Sequence, residues 1–211
     1  MSTLRAAVIG VGMGKAHIAG YQSHPEVEVV AAADIDGARL EEVGAKYGVK
    51  SLYTDYRRML EGERLDIVSV ATPNRYHREI TIDALRAGAH VLCEKPMAMD
   101  AREAREMLDA AAAARRRIMI NFSFRFNAAS RALKAEVDRG TFGEIYFGRT
   151  AWHRRRGFPR FGGWFGQKEL SGGGPLIDLG VHRLDLALWL MGHPRARWVL
   201  ARSYDHLARA R

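Results

Sequence analysis

The feature that most constrains the fold is a regular alternation of short apolar runs and amphipathic segments over about the first 120 residues. The apolar runs lie at residues 6–10, 27–34, 67–72, 90–93 and 118–121, with a shorter segment at 49–53. Helical patterns separate them at about residues 15–23, 37–47, 56–61, 77–87 and 100–115. Strands that are apolar throughout and joined by helices predict a parallel sheet covered on both faces. We therefore predict an α/β fold with a doubly wound parallel sheet over residues 1–122.

After this region the pattern changes, and residues 123–211 are treated as a separate part of the chain. Helices are predicted at about residues 127–139 and 175–191, and strands at 144–154 and 197–203, with a glycine- and aromatic-rich loop at 157–174. Two strands and two helices are too few for an independent sheet domain.

The composition is that of an ordinary soluble protein, with 47% hydrophobic and 27% charged residues. No apolar run approaches the roughly 18–20 residues that span a bilayer, and the N-terminus lacks the pattern of a signal peptide. The single cysteine, Cys93, excludes an intramolecular disulfide and is interpreted as a small buried hydrophobe rather than a nucleophile. We expect a cytoplasmic protein without a membrane partner and without a metal site.

The formal net charge of +9 raises the possibility of nucleic-acid binding. Arginine triplets lie at residues 115–117 and 154–156, but the first follows an alanine-rich helix, whose C-terminus favours cations. The sequence has no interleaved aromatic platform, zinc-ligand spacing or recognition-helix signature. A solvated basic surface is the favoured interpretation, and no nucleic-acid partner is expected.

A glycine-rich turn joins the first predicted strand to its helix. Gly10, Gly12 and Gly14 give the spacing G-x-G-x-G, with Met13 between the last two, one residue shorter than the usual G-x-G-x-x-G. Glycines at such a turn let backbone amides approach a pyrophosphate at the helix N-terminus. The turn follows an apolar strand and opens a helix, so its position predicts a dinucleotide site.

An acidic residue completes this signal, because Asp34 lies 20 residues after Gly14, at the end of the second strand. A carboxylate there accepts hydrogen bonds from both ribose hydroxyls and repels a 2′-phosphate. Asp34 and the nearby Asp36 favour NAD, whereas Arg39 leaves NADP open as an alternative. The competing interpretation is that Asp34 only caps the following helix.

Three further polar segments follow predicted strands, at residues 71–77, 93–96 and 121–126. Open α/β sheets bind their ligands at the carboxyl ends of the strands. Lys95 directly follows a buried strand and precedes Pro96, so it is held more rigidly than a surface lysine, and partial desolvation there favours catalytic use. The alternative is an exposed lysine in a loop.

Downstream, Asp178 and His182 lie four residues apart on one predicted helix and therefore share a face. Histidine titrates near neutrality and can accept a hydroxyl proton as hydride leaves the same carbon. Asp185 and Trp189 continue the stripe. The alternative is a polar helix face that contacts solvent or a partner chain.

These motifs together resemble the Gfo/Idh/MocA oxidoreductases, which are named for glucose–fructose oxidoreductase, inositol dehydrogenase and a rhizopine-catabolism protein. The resemblance rests on the glycine turn ending in Gly-x-x-His (residues 14–17), Ala-Thr-Pro-Asn (71–74), Glu-Lys-Pro (94–96), Arg-Phe (125–126) and Gly-Gly-Gly-x-x-x-Asp-x-Gly-x-His (172–182). It implies a Rossmann domain at residues 1–122 and, at residues 123–211, part of a second α/β domain with a mixed or antiparallel sheet, which carries the substrate site and often mediates homo-oligomerisation. Because members of the family usually continue well beyond this point, the resemblance also implies that the second domain is truncated at its C-terminus.

The resemblance also implies residue roles. It makes Lys95, Asp178 and His182 the catalytic group, with His182 as general base and the other two orienting the substrate. The implied cofactor contacts are Gly10, Gly12, Met13, Gly14 and Asp34 on the adenosine half, Thr72, Pro73, Asn74, His77, Glu94 and Lys95 around the nicotinamide ribose, and Arg125 near the nicotinamide. Trp152 and Trp164 are implied to line the sugar pocket, with Asp178 and His182.

The sequence thus predicts an NAD-dependent oxidoreductase that transfers hydride between a nicotinamide and a hydroxyl carbon of a sugar, polyol or related metabolite. A dinucleotide-binding module without turnover, lacking part of its substrate wall, is the alternative.

Overall fold

Six parallel strands form a single sheet in the computed structural model, which describes residues 3–157 and 162–204. The strands are β1 (Leu4–Ile9), β2 (Val27–Ala33), β3 (Ser51–Tyr53), β4 (Ile67–Val70), β5 (His90–Cys93) and β6 (Ile118–Ile120). Their order is β3-β2-β1-β4-β5-β6. Strands β2 and β3 are therefore added on one side of β1 and strands β4 to β6 on the other, so the order of addition changes side between β1 and β4. This is the doubly wound order whose switch point is the usual position of a ligand crevice. The predicted α/β fold is confirmed.

The first five helices alternate with the strands and cover the sheet, and three more follow the last strand. They are α1 (Val11–Gln22), α2 (Gly37–Tyr47), α3 (Tyr56–Gly62), α4 (His77–Arg86), α5 (Ala101–Ala114), α6 (Ala128–Asp138), α7 (Lys168–Ser171) and α8 (Val181–Leu190). Successive residues of a strand point to opposite faces, so β1 sends Val8 into one apolar cluster and Ala7 and Ile9 into another. A sheet with an apolar core on each face has its ligand positions only at strand ends.

The register of the central strands brings their carboxyl ends level. Ile9 of β1 pairs with Val70 of β4, and Val70 pairs with Cys93 of β5. The residues that follow these strands therefore emerge side by side. They are the glycine turn, the Ala-Thr-Pro-Asn segment and the Glu-Lys-Pro segment.

Both helices predicted in the second half of the chain, at residues 127–139 and 175–191, are present. The first is α6, and the second consists of a π-helical turn, Leu176–Gly180, that continues directly into α8. The strands predicted at residues 144–154 and 197–203 are not formed, and the described residues after β6 contain no strand. A strand needs a neighbour for its backbone hydrogen bonds, and the described residues provide none here. Both segments are exposed, with Tyr146 at 91% and Trp198 at 81%.

Candidate active site

Two glycines of the turn are required by close approaches of the surrounding backbone and side chains. Gly10 has φ +89°, and a Cβ on it would lie 2.6 Å from the carbonyl oxygen of Ala71. A Cβ on Gly14 would lie 2.5 Å from Cγ1 of Val8. The first glycine thus permits the turn and the last lets α1 pack on β1, so the shortened spacing retains both roles.

The middle glycine faces open space. A Cβ on Gly12 would meet only Nη1 of Arg39, at 3.9 Å. The first turn of α1 carries no acidic residue, Gly10 provides no side-chain cap, and Met13 beside it is 61% exposed. A helix N-terminus that begins after a glycine, with Gly12 and Met13 exposed and no acidic residue in its own first turn, fits a pyrophosphate.

The carboxylate of Asp34 is buried beside this turn. Oδ2 accepts the amide hydrogen of Val11 at 2.9 Å, and Oδ1 accepts that of Asp36 at 3.0 Å. The side chain of Asp36, not that of Asp34, caps α2 by accepting the amide hydrogen of Arg39. The interpretation of Asp34 as the cap of α2 is therefore wrong. The Arg39 guanidinium lies 3.6 Å from Asp34 and 2.7 Å from Asp36.

Glu94, directly after β5, is partly buried and fully engaged by hydrogen bonds. Its Oε1 accepts from Nε2 of His17 at 2.9 Å and from Nδ2 of Asn121 at 2.7 Å, while Oε2 accepts from the Lys95 amide at 3.2 Å. Burial opposes ionisation, but the bonds from His17 and Asn121 outweigh it and hold the pKa of Glu94 below its ordinary value. Glu94 is therefore a fixed carboxylate at the strand ends.

His77 serves as a brace between two of the strand-end segments. The ring is 1% exposed, with Nδ1 2.7 Å from the carbonyl oxygen of Pro96 and Nε2 2.9 Å from that of Thr72. Burial lowers the pKa of His77. A neutral ring has one N–H, so His77 donates to one of these two carbonyl oxygens while its ring packs between Thr72 and Pro96.

Asn74 joins the two halves of the chain, because its Nδ2 donates to the carbonyl oxygen of Ser171 at 2.7 Å. The Thr72 hydroxyl is buried and, within the described residues, has no hydrogen-bond partner. An unsatisfied hydroxyl beside the strand ends fits a ligand that supplies the missing partner.

Lys95 and Asp178 form an ion pair across the two halves. Nζ lies 3.0 Å from Oδ1 of Asp178 and 3.1 Å from the Asp178 carbonyl oxygen. The side chains are only 15% and 23% exposed. The interpretation of Lys95 as an exposed loop lysine is therefore wrong, and Asp178 does not simply face solvent.

His182 lies near this pair at the start of α8. Partial burial, followed by the positive charge of Lys95, lowers the pKa of His182 below its ordinary value. The ring packs edge-on against Phe124, with centroids 5.2 Å apart, and contacts Trp152 at 5.9 Å. A neutral imidazole at neutral pH has a nitrogen lone pair with which to accept a proton.

A cavity of about 220 Å³ opens beside Asp178. Its lining includes Asn74, Phe165, Ser171 and the arginine triplet at residues 154–156. Trp164 stacks on Phe165, with centroids 3.8 Å apart, and is not itself among the lining residues described. Of the four residues predicted to bind the substrate, Asp178 lines this cavity, whereas Trp152, Trp164 and His182 are not among its lining residues.

Arg125 is held in a different contact. It forms a two-point ion pair with Asp185 of α8, including a bond of 2.8 Å between Nε and Oδ2. Its guanidinium also lies 5.6 Å from the centroid of the Phe122 ring. This pair fixes α8 against the end of the sheet.

The residues around Glu94 were missed at the sequence level. His17 lies in the Gly-x-x-His motif, but its local sequence does not indicate a contact with Glu94. The same is true of the other residues of this hydrogen-bonded group, namely Tyr21, Ser69 and Asn121. Two signals were present, namely a serine within the apolar strand β4 and a histidine four residues before a tyrosine on α1. Residues at that helical spacing share a face.

The sheet order, the open glycine turn and the buried carboxylate at the end of β2 define a dinucleotide-binding protein of the Rossmann class. Residues 4–122 match the family model "Oxidoreductase family, NAD-binding Rossmann fold", and residues 130–208 match "GFO/IDH/MocA C-terminal domain". The chain belongs to the Gfo/Idh/MocA family and contains its NAD-binding Rossmann domain.

Individual relatives agree. The chain is 41% identical over 210 residues to a D-glucoside 3-dehydrogenase of Escherichia coli (strain K12), covering 98% of the chain and 59% of that enzyme. An oxidoreductase domain protein from Kribbella flavida superposes with a TM-score of 0.80 at 32% identity, covering 91% and 53% of the two chains. A levoglucosan dehydrogenase in complex with NADH superposes with a TM-score of 0.79 at 29% identity, covering 90% and 54%.

The chain therefore spans little more than half the length of these relatives. Within residues 3–157 and 162–204, no helix has the length and apolar character needed to cross a membrane.

Proposed function

We propose that this chain carries the cofactor site and proton-transfer group of an NAD-dependent dehydrogenase acting on CH–OH groups of sugars or polyols. The observation that carries the proposal is the ion pair between Lys95 and Asp178, which lies near His182. Lys95 comes just after β5, a strand of the dinucleotide-binding sheet. Lys95, Asp178 and His182 are ionisable groups that interact electrostatically with one another near the strand ends. Such an arrangement is suited to acid–base chemistry.

The cofactor site proposed here follows the strand ends. The adenosine half and pyrophosphate bind at Gly10, Gly12, Met13, Gly14 and Asp34, and the nicotinamide ribose and ring bind near Thr72, Pro73, Asn74, His77, Glu94, Lys95 and Arg125. The open side of Gly12 and the exposed first turn of α1, which has no acidic residue of its own, support the first group. His77 acts within the second by fixing the backbone of Thr72 and Pro96.

Proton transfer is assigned to His182. A bound nicotinamide would supply the acceptor for the hydride that leaves the hydroxyl-bearing carbon. His182 accepts the hydroxyl proton, because its lowered pKa keeps the ring neutral at neutral pH. Lys95 donates a hydrogen bond to the same hydroxyl and stabilises negative charge developing on its oxygen. Asp178 holds the Lys95 ammonium in place through the 3.0 Å contact.

A sugar or polyol is the proposed substrate class, with Trp152, Trp164, Asp178 and His182 at its binding site. The cavity beside Asp178 and the contact of Trp152 with His182 support this placement. Two curated relatives are a D-glucoside 3-dehydrogenase and a levoglucosan dehydrogenase, both named for sugar-type substrates.

NADP is the alternative cofactor, because the half-exposed Arg39 guanidinium lies beside Asp34, where it would meet a 2′-phosphate. We favour NAD, since the carboxylates of Asp34 and Asp36 already neutralise Arg39. A dinucleotide-binding module without turnover is the second candidate function. It is favoured by the segments at residues 144–154 and 197–203, which are largely exposed and do not form the predicted strands.

The remaining proposals concern context. We place the Rossmann domain at residues 1–122 and the partial substrate domain at 123–211. A cytoplasmic homo-oligomer without a nucleic-acid partner is proposed, supported by the single buried cysteine for a reducing compartment.

Fluorescence titration with NADH followed by a screen of polyols and sugars for NADH formation tests the function. Lys95→Ala and His182→Ala are expected to abolish turnover while leaving NADH affinity largely intact, and Lys50→Ala, at an exposed lysine, serves as the control. Saturable binding without any turnover supports the binding module. If neither Lys95→Ala nor His182→Ala reduces turnover, the catalytic assignment is wrong.

A further inference from the structure

A row of hydrogen-bonded polar side chains connects α1 to Glu94 by way of Ser69 on the central strand β4. The Tyr21 hydroxyl lies 2.8 Å from the Ser69 hydroxyl, which lies 3.0 Å from Nδ1 of His17, and Nε2 of His17 lies 2.9 Å from Oε1 of Glu94. Ser69 is fully buried and His17 is 9% exposed. Tyr21 is partly buried and is the member of this hydrogen-bonded row farthest from Glu94.

The direction of every bond follows from the acceptor at the inner end. An ionised carboxylate only accepts hydrogen bonds, so Nε2 of His17 carries the hydrogen that is donated to Glu94. In a neutral ring Nδ1 is then an acceptor, and the Ser69 hydroxyl donates to it. The Ser69 oxygen in turn accepts from the Tyr21 hydroxyl. Each bond therefore has one donor and one acceptor.

The opposite arrangement conflicts with the surroundings of Glu94. It would place the hydrogen on Nδ1 of His17 and make Nε2 an acceptor. Nε2 could then accept from Nδ2 of Asn121, 3.4 Å away, but its 2.9 Å contact with Glu94 would be a hydrogen bond only if Glu94 were protonated. The Lys95 amide and the Asn121 amide both donate to this carboxylate, and its pKa lies below the ordinary value. The geometry thus selects a single tautomer.

Fold stability alone gives no reason for these polar side chains. Hydrophobic residues of similar volume replace buried polar or ionic groups with little loss of stability, and sometimes with a gain. Ser69 nevertheless interrupts an otherwise apolar strand, and a carboxylate is kept at the strand ends with both oxygens engaged. What the network supplies is a fixed orientation of the Glu94 carboxyl group and of the adjoining Lys95 backbone.

We propose that His17 is a positioning residue, locked by Ser69 and Tyr21 as the Nε2–H tautomer, which orients Glu94 and Lys95 for the nicotinamide half of the cofactor. This inference rests on the proposed function, because it assigns His17 an effect on the same cofactor site. His17 acts entirely through Glu94, and the Nε2–H bond is the part of its side chain that matters.

Substitution at residue 17 separates this role from a purely structural one. His17→Ala is expected to weaken NADH binding about tenfold, the lower range for losing a hydrogen bond to a charged group. Glutamine carries its amide nitrogen the same number of bonds from Cα, so His17→Gln restores the donor and recovers most of the affinity. Met59→Ala, in the opposite core cluster, is the matched control that lowers stability without changing NADH affinity.

Nitrogen chemical shifts of the His17 ring report the tautomer directly and do not require cofactor or turnover. The expected spectrum shows a protonated Nε2 and an unprotonated Nδ1 acceptor. A protonated Nδ1 overturns the inference, as does wild-type NADH affinity in His17→Ala with a loss of stability alone. If the wild-type chain binds no NADH, the proposed function fails, whereas the ring spectrum still decides the tautomer.

Discussion

The packing of α1 on β1 depends on the absence of a side chain at Gly14, and Gly14→Ala tests this quantitatively. The added Cβ would lie 2.5 Å from Cγ1 of Val8, whereas carbon atoms in contact prefer about 3.5–4.0 Å. One of the two must therefore move by about 1 Å. Val8 is fully buried in the middle of the sheet, between β2 and β4, and has little room to yield.

Overpacking of this kind costs about 1–3 kcal/mol. With an m value of about 2 kcal/mol/M for urea, Gly14→Ala is expected to lower the unfolding midpoint by about 0.5–1.5 M. NADH affinity is expected to fall as well, because displacement of α1 moves its N-terminal amides away from the pyrophosphate position.

Two further variants make the urea experiment decisive. Gly20 lies on the same helix with no atom within 4 Å of an added Cβ, so Gly20→Ala is expected to stabilise the protein by about 0.5–1 kcal/mol. Val8→Ala removes the obstructing methyl group, so the double variant with Gly14→Ala should lose about 1 kcal/mol less than the sum of the single changes. If Gly14→Ala matches Gly20→Ala in stability, or the two changes simply add, the packing argument is refuted.

Three other predictions concern single side chains. Burial raises the pKa of the Cys93 thiol to about 12, so it should resist alkylation at pH 8 in the folded protein and react once urea unfolds it; rapid native labelling would contradict this. Because the Lys95 charge lowers the pKa of His182, Lys95→Met should raise the midpoint of the His182 NMR titration, and an unchanged midpoint would show that the two groups are not coupled. Asp34→Ala should weaken NADH binding by about 10- to 150-fold through loss of charged hydrogen bonds to the ribose, whereas an unchanged dissociation constant in calorimetry would remove Asp34 from the site.

The sequence predicts the sheet well because its signal is local. An apolar strand, a glycine turn and a helix follow one another along the chain, and the right-handed crossover rule then determines the face of the sheet on which each connecting helix lies. The short segment at residues 49–53 forms the edge strand β3 only from Ser51, where pairing with β2 begins. The strands predicted at 144–154 and 197–203 show the limit of this signal, since β-rich composition does not provide a pairing partner.

The site is predicted less completely, because its contacts join distant parts of the chain. The spacing of Asp178 and His182 indicates a shared helix face, but only the fold brings Asp178 to Lys95, 83 residues away. The contact of His17 with Glu94 spans 77 residues and depends on the register of three strands. Such pairs carry no local periodicity, so the polar residues within apolar elements are the only sequence signal for them.

The central claim is that the turn after β1 is a dinucleotide site, and NADH titration of Gly12→Val tests it most directly. Gly12 is exposed and a Cβ on it would meet only Nη1 of Arg39, the end of a flexible side chain, so we expect the fold to tolerate valine with little loss of stability. Valine would, however, occupy the space proposed for the pyrophosphate. We predict saturable one-to-one NADH binding by the wild-type chain and its loss in a Gly12→Val variant of near wild-type stability. Equal NADH affinity in the two proteins would contradict this account.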